Sequence, residues 1–339
     1  MSFISLRWLK LNVVRCVCSL FILGSHLVFA DAALLKRKDV KAFINEMVTE
    51  HAFHRPTIVK ALNEAKWQSS IVEAMDKPYE KKAWNIYKEM FLTAERLQEG
   101  LAFWSANQAI LKKAEEKYGV PASLIVAVLG VETRYGKNQG HYRVLDALVT
   151  LAFNYPKRSA YFTKELKEYF LLCREHQISP TEYVGSYAGA MGQPQFMPSS
   201  YRYYAADFLG KTKKDLMQDT EAVIASVANY FQQHGWQNQG LVAQPAKVAG
   251  ERYKKTIDTT LKRASYDVSQ LKAAGIVPEE ATMTESITAG LIALMTQKGE
   301  EFWLAYPNFY VITRYNSSPQ YALAVYLLSQ QLNQHKRIG

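Results

Sequence analysis

Apolar and polar residues along this chain follow mostly the period of a helix. From residue 33 to about residue 114 the chain is rich in Lys and Glu, and Val40, Phe43, Ile44 and Met47 fall at i, i+3, i+4 and i+7. That spacing predicts a string of short amphipathic helices. Residues 120–135 predict a further helix, with Pro121 at a first helical position and Gly136 as the stop after the last turn. Within it Leu124, Val128 and Glu132 are spaced i, i+4, i+8 and share one face. Residues 159–172 read as helix, and so do 219–234, with Ile224, Val227, Ala228 and Phe231 inward and Gly235 as the stop. After Gly240 the texture changes: 241–243 and 287–295 read as strands, 297–300 as a turn and 302–306 as the returning strand. Helix resumes at 321–332, apolar at Ala324, Val325, Leu327 and Leu328. The pattern is that of a mainly α protein, α+β by class, with a small β-containing insert.

The first thirty residues differ in kind. Arg7, Lys10 and Arg15 precede an uncharged run over 17–29, and Val28, Phe29 and Ala30 offer a small-x-small cleavage pattern. We read 1–30 as a cleaved export signal, because the run is short of the ~20 apolar residues of a membrane span. A lipid anchor would need a cysteine after a small residue, whereas Cys16 follows Arg15 and Cys18 follows Val17. Removal of the leader leaves Cys173 as the one cysteine, so no intramolecular disulfide is expected in an oxidising periplasm.

Length and charge narrow the classes further. The chain has 339 residues, of which 48% are hydrophobic, enough for two or three units of about 150 residues with a real core. We divide it at 31–110 (helical), 111–236 (the part bearing Glu132), 237–310 (β-containing) and 311–339 (a return to helix). Cleavage of the leader removes three of the 41 basic residues and none of the 31 acidic ones, lowering the formal charge from +10 to +7. A basic exported protein suits an acidic polymer, with peripheral association to cell-envelope proteins or a membrane surface. No nucleic-acid motif is present, and none is expected as a partner.

Two elements carry chemistry. Glu132 stands on an aliphatic face, where desolvation disfavours its charged form and moves it toward the range of a proton donor near neutrality. The helix alone is equally compatible with a structural glutamate bonded to a neighbouring loop. Residues 186–200 mix glycines, prolines, amides and hydroxyls, which lets backbone approach a sugar closely; a tight packing loop would look the same.

The residues together resemble the lytic murein transglycosylase B family of exported peptidoglycan-cleaving enzymes. Its motifs occur in order as Gly-Val-Glu-Thr at 130–133, Leu-x-Phe-Asn-Tyr-Pro-x-Arg at 151–158, Ala-Gly-Ala-Met-Gly at 188–192, Gln-Phe-Met-Pro-Ser at 195–199 and Ser-Val-Ala-Asn-Tyr at 226–230. A late Asn-Phe-Tyr-x-Ile-Thr-Arg-Tyr-Asn segment follows at 308–316, and the resemblance runs from 40 to 332. It implies a lysozyme-like helical core, an additional helical domain and a small β domain around a long groove. It implies Glu132 as the single catalytic acid and base, Ser186 and Gln195 as sugar-holding residues, and Tyr87, Tyr230, Tyr315, Asn316 and Tyr321 as subsite lining.

What the resemblance implies for chemistry is cleavage between N-acetylmuramic acid and N-acetylglucosamine in glycan strands of peptidoglycan, closing a 1,6-anhydro ring. Glycosidases of the common kinds need a second carboxylate, and neither the Glu132 helix nor the 186–200 loop supplies an obvious one. A hydrolase of the same polymer and a non-catalytic wall-binding protein are the other classes the chain allows. Some relatives carry a calcium loop after the Met-Pro-Ser motif. Here Leu209 and Lys211 fall at alternating positions after Asp207, so no metal and no other cofactor are expected.

Overall fold

The structure, a computed structural model, describes residues 33–76, 82–279 and 287–338. The leader expected at 1–30 and its cut after Ala30 lie outside the described residues.

Among the described residues six α-helices come first: α1 (Lys38–Thr49), α2 (Arg55–Glu64), α3 (Ser69–Asp76), α4 (Trp84–Phe91), α5 (Ala94–Ala106) and α6 (Gln108–Tyr118). The stripe read in the sequence is the face α1 buries: Val40, Phe43, Ile44 and Met47. Thr93 caps α5 by accepting the Arg96 N–H at 3.1 Å, and Gly119 ends α6 in the left-handed conformation.

Helix α7 (Ala122–Thr133) is different, because every residue except Glu132 is buried. The helix is enclosed on all sides, as befits a sequence without a polar stripe. Two end signals also shift. Pro121 is the N-cap rather than the first helical residue, and the reversal is begun by Arg134 (φ 51°) and Tyr135 (φ 60°) ahead of Gly136 (φ 86°). The Tyr135 N–H bonds back to Leu129 O at 2.9 Å, closing the last turn before the glycine is reached.

The middle of the chain forms β1 (Tyr142–Arg143), α8 (Val144–Asn154), α9 (Ser159–His176), β2 (Val184–Gly185), α10 (Pro198–Tyr204) and α11 (Thr220–Gln233). Strands β1 and β2 pair antiparallel, Tyr142 opposite Gly185, and so pin the start of the 186–200 loop. Asp219 caps α11 through the N–H groups of Glu221 and Ala222.

The insert comprises β3 (Ala243–Val248), β4 (Tyr266–Asp267), α12 (Val268–Ala273), β5 (Ile276–Pro278), β6 (Thr288–Thr296) and β7 (Gly299–Ala305). The strands are ordered β4-β6-β7-β3-β5, with antiparallel neighbours. The β6–β7 hairpin runs from Gly290 opposite Ala305 to Thr296 opposite Gly299, so Gln297 and Lys298 form a tighter turn than the four residues expected. Leu241 and Val242 precede β3 instead of belonging to it.

Helices α13 (Pro307–Tyr315) and α14 (Pro319–Ile338) close the chain. Helix α14 packs on α7, α5 and α4, and the Ser329 and Ser123 hydroxyls meet at 3.0 Å between α14 and α7. One hydrophobic core runs from Val40 to Leu332 through all these helices, while a smaller one, with Leu271, Ile276, Leu291 and Leu304, lies in the insert. The helices before residue 110 and those after it thus share a core.

Candidate active site

Glu132 sits at the end of α7, and that end is clamped. Arg134 meets Glu99 through Nε at 2.6 Å and also pairs with Glu95, and Lys137 reaches Glu99 at 2.6 Å. These cations hold the Glu99 carboxyl far below the usual carboxylate range, at about 2. Below the clamp, the Tyr135 hydroxyl donates to Arg96 O at 2.8 Å, and Arg96 donates to Gly130 O at 2.6 Å. Gly130 is needed for this: a Cβ there would stand 2.6 Å from the Tyr135 hydroxyl and 2.8 Å from its ring. The glycine of the Gly-Val-Glu-Thr run therefore makes room for the tyrosine that locks the turn after Glu132.

Tyr321, on α14, donates its hydroxyl to Glu132 Oε1 at 2.5 Å. Its ring stacks on that of Tyr315, centroids 6.4 Å apart and planes 14° apart. Burial first, and the Glu132 carboxylate second, push both phenols well above the normal tyrosine range. Both remain neutral hydroxyl donors at any working pH. Tyr315 donates to Pro194 O at 2.6 Å and Tyr230 to Arg314 O at 2.6 Å, with the Tyr230 and Tyr315 rings edge to face at 4.9 Å. Tyr87 stacks on Trp84 and acts electrostatically on the Tyr321 hydroxyl. The four tyrosines picked from the sequence thus converge with Glu132, although α4, α11, α13 and α14 are far apart in the chain.

The 186–200 loop reaches the same place from the other side. The Thr133 hydroxyl donates to Gln193 O at 2.8 Å, joining the loop to the residue after Glu132. Ser186 Oγ accepts the N–H groups of Ala188 (3.2 Å) and Ala190 (3.1 Å), so this residue shapes the loop. Gly192 (φ 71°) passes so near Leu216 that a Cβ would fall 2.5 Å from its carbonyl oxygen. Gln195 is held left-handed at φ 50°, its amide donating to Gly192 O (2.9 Å) and Gln139 O (3.2 Å). Such strain costs of order 1–3 kcal/mol and persists where the surroundings over-determine it.

Asn316 follows α13 in extended conformation and lines a groove of about 730 Å³ with Arg158, Tyr187, Ala188 and the start of α14. Glu132 is not on that lining; the groove runs beside it, past the chain neighbours of Ser186 and Tyr321. Sequence reasoning missed Gln320 there. Its Nε2 donates to Lys82 O at 2.9 Å, and its buried Oε1 has no partner among the described residues. Its one signal was position, immediately before Tyr321. Among the described residues no Asp or Glu lines the groove, and Glu132 is the one acid among the forces on Tyr315 and Tyr321.

The chain matches the transglycosylase SLT domain model over residues 36–330. It is 41% identical over 302 residues to membrane-bound lytic murein transglycosylase B of Escherichia coli (strain K12), covering 86% of this chain and 82% of the relative. Among solved structures it is similar to the Escherichia coli lytic transglycosylase Slt35 in complex with calcium, with TM-score 0.78 and 41% identity over 88% of this chain and 93% of that one. SltB3 of Pseudomonas aeruginosa in complex with NAG-NAM-pentapeptide gives TM-score 0.73 and 27% identity over 86% of this chain and 78% of that one.

The donors at 207–219 do not fit a calcium ion. Asp207 Oδ1 accepts the N–H groups of Leu209 (2.9 Å) and Gly210 (2.6 Å), and Oδ2 accepts that of Lys211 (2.9 Å). The Lys211 ammonium lies 2.6 Å from Asp219 Oδ2 and holds that carboxyl below its ordinary range. Backbone amides and an internal cation occupy the oxygens a hard ion would need. The lysozyme-like helical fold, the shared motifs and a match along nearly the whole described chain place this protein in the transglycosylase SLT domain family, as a lytic murein transglycosylase.

Proposed function

We propose that this enzyme cleaves the β-1,4 bond between N-acetylmuramic acid and N-acetylglucosamine with Glu132 as its single acid and base. The observation that carries the reading is the pairing of Glu132 with Tyr321 beside a groove on whose lining the described residues place no acid. Because Tyr321 donates to Oε1, the acidic proton of Glu132 belongs on Oε2. That proton passes to the glycosidic oxygen as the bond to the anomeric carbon breaks. The substrate's acetamido carbonyl supports the positive anomeric carbon. The Glu132 carboxylate, steadied by the Tyr321 hydroxyl, then takes the proton of the muramic C6 hydroxyl, whose oxygen bonds to the anomeric carbon. The products are a 1,6-anhydromuramic end and a reprotonated Glu132, with no water consumed.

Mass spectrometry of digested peptidoglycan tests this directly. Anhydro ends are expected from the native protein, and none from Glu132→Gln, whose amide keeps the shape of the side chain but cannot cycle a proton. Reducing ends would instead make the protein a hydrolase, and intact strands a wall-binding protein.

The proposed site of action is the periplasm, reached through a leader at 1–30 that is removed. No helix among the described residues is long and apolar enough to cross a membrane. Amino-terminal sequencing of the protein from the periplasmic fraction tests the cut after Ala30.

A further inference from the structure

A second pocket lies where the end of α11, the outer side of α13 and the segment 262–264 meet. His234, Lys262, Arg263 and Arg314 line this space of about 240 Å³, together with Tyr310 and Thr288. Among the described residues no Asp or Glu shares the lining. Among the described residues neither Lys262, Arg263 nor Arg314 pairs with a carboxylate, since the ion pairs found there involve other cations. Three cations, all exposed, thus line one small space with no carboxylate paired to them among the described residues, a concentration of positive potential that favours an anionic ligand.

Local hydrogen bonds hold this arrangement without neutralising it. Arg314 donates to Lys262 O at 2.7 Å and so ties the 262–264 segment to α13. The acid at the pocket's edge, Asp258, is turned to other donors. Its Oδ1 accepts Thr260 N (2.7 Å), Thr260 Oγ1 (3.0 Å) and Leu261 N (3.0 Å), and its Oδ2 accepts the Tyr310 hydroxyl (2.9 Å). Burial would raise the Asp258 carboxyl, yet these bonds hold it below the usual range.

The pocket also shares a wall with the active site. The His234 ring stacks on Tyr230 at 4.0 Å, and its Nδ1 lies 2.7 Å from Tyr230 O. Because a carbonyl only accepts, Nδ1 carries the hydrogen and Nε2 is left for another partner. Tyr230 in turn meets Tyr315 and holds Arg314 O. The pocket is therefore joined to the Tyr230–Tyr315 pair through His234 and Arg314.

A glycan strand of the kind proposed above carries peptide stems, and their free carboxylates are anions that match the charge of this pocket. We propose that the pocket of His234, Lys262, Arg263 and Arg314 binds a stem carboxylate of the glycan strand at a distance from the bond being cut. This rests on the reading of the substrate as peptidoglycan. Lys262 and Arg263 are exposed, so each contact is individually weak and their convergence matters.

The binding test needs no cleavage. Full-length Glu132→Gln protein is titrated with N-acetyl-L-alanyl-D-glutamate, a soluble stem fragment, and separately with inorganic phosphate, while the His234 ring resonances are followed. The expected result is saturable movement with the stem fragment at lower concentration than with phosphate, weakened about five-fold by Lys262→Gln with Arg263→Gln. No response, an equal or stronger response to phosphate, or an unchanged response in the double variant overturns the proposal. The kinetic test sets the same double variant, with Glu132 intact, on stem-bearing strands and on strands stripped of stems by an amidase. KM is expected to rise on the first alone; an equal change on both, or none, overturns the proposal. Failure of the native protein to cut either strand would refute the activity, whereas failure of the titration refutes the pocket.

Discussion

The Tyr321 hydroxyl donates to Oε1 of Glu132 at 2.5 Å, across a contact between α14 and α7 that joins residues 189 positions apart in the chain. The acid is held by a group whose own proton is secured by burial and by the carboxylate it serves. Loss of that hydroxyl is therefore expected to damage catalysis without damaging the core. Tyr321→Phe keeps the ring stacked on Tyr315 and removes one bond to a charged group, worth about 1.5–3 kcal/mol. We expect kcat to fall by about 10- to 100-fold with the melting temperature nearly unchanged. An unaltered kcat on purified cell walls would show that the bond has no part in the reaction.

Gly130→Ala should act through packing. The added methyl group collides with the Tyr135 ring, and over-packing of this kind costs about 1–3 kcal/mol. The displaced tyrosine loses its bond to Arg96 O, and the turn bearing Glu132 loosens. A drop in melting temperature accompanied by a lower kcat is expected. A melting curve matching the native one would mean that Tyr135 has room this geometry does not show.

The clamp of Glu99 on Arg134 and Lys137 predicts a pH dependence. The Glu99 carboxyl titrates at about 2 in the folded chain against 4.5 ordinarily, a depressed value. Its contribution to stability is thus fully present above about 4.5 and is lost as pH falls toward 2. Native and Glu99→Gln proteins should differ in melting temperature at pH 7 and converge between pH 4.5 and pH 2. A gap that persists or widens at low pH has the wrong sign for this clamp.

Calcium should leave the enzyme indifferent. With both Asp207 oxygens bonded to backbone amides and Lys211 on Asp219, calorimetric titration is expected to show no tight calcium binding. Chelator should leave activity and melting temperature unchanged. A saturable calcium isotherm would require the Lys211 ammonium to leave Asp219, and would overturn the assignment.

Much of the helical layout was legible because long elements repeat their pattern. The buried stripe of α1 and the inward residues of α11 lie where the spacing put them. The shortest elements were not legible. Strands β4 and β5 have two and three residues, too few to display a period of two, and α12 has six. Helix α13 escaped notice because it starts within two residues of β7 and carries aromatic residues that fit either state. The site was legible in part: Glu132 and its tyrosines came from motif order, while Gln320 had no pattern of its own and is marked by a buried oxygen without a partner among the described residues.

The amino-acid sequence by itself determined the helical periodicity, the place of Glu132 at the end of an apolar helix and the identity of the family, because these depend on residues near each other or on motifs in order. It left open whether Glu132 was structural, since desolvation on a helix face is common to both cases. Tertiary structure decided that question's physical terms. It put Tyr321 against Oε1, set the 186–200 loop on Thr133, turned the carboxylate of Asp207 onto its own backbone, and left Lys262, Arg263 and Arg314 facing one pocket. Each of these is a contact between distant segments, and no local pattern encodes which side chain a folded core will bring within 3 Å of another.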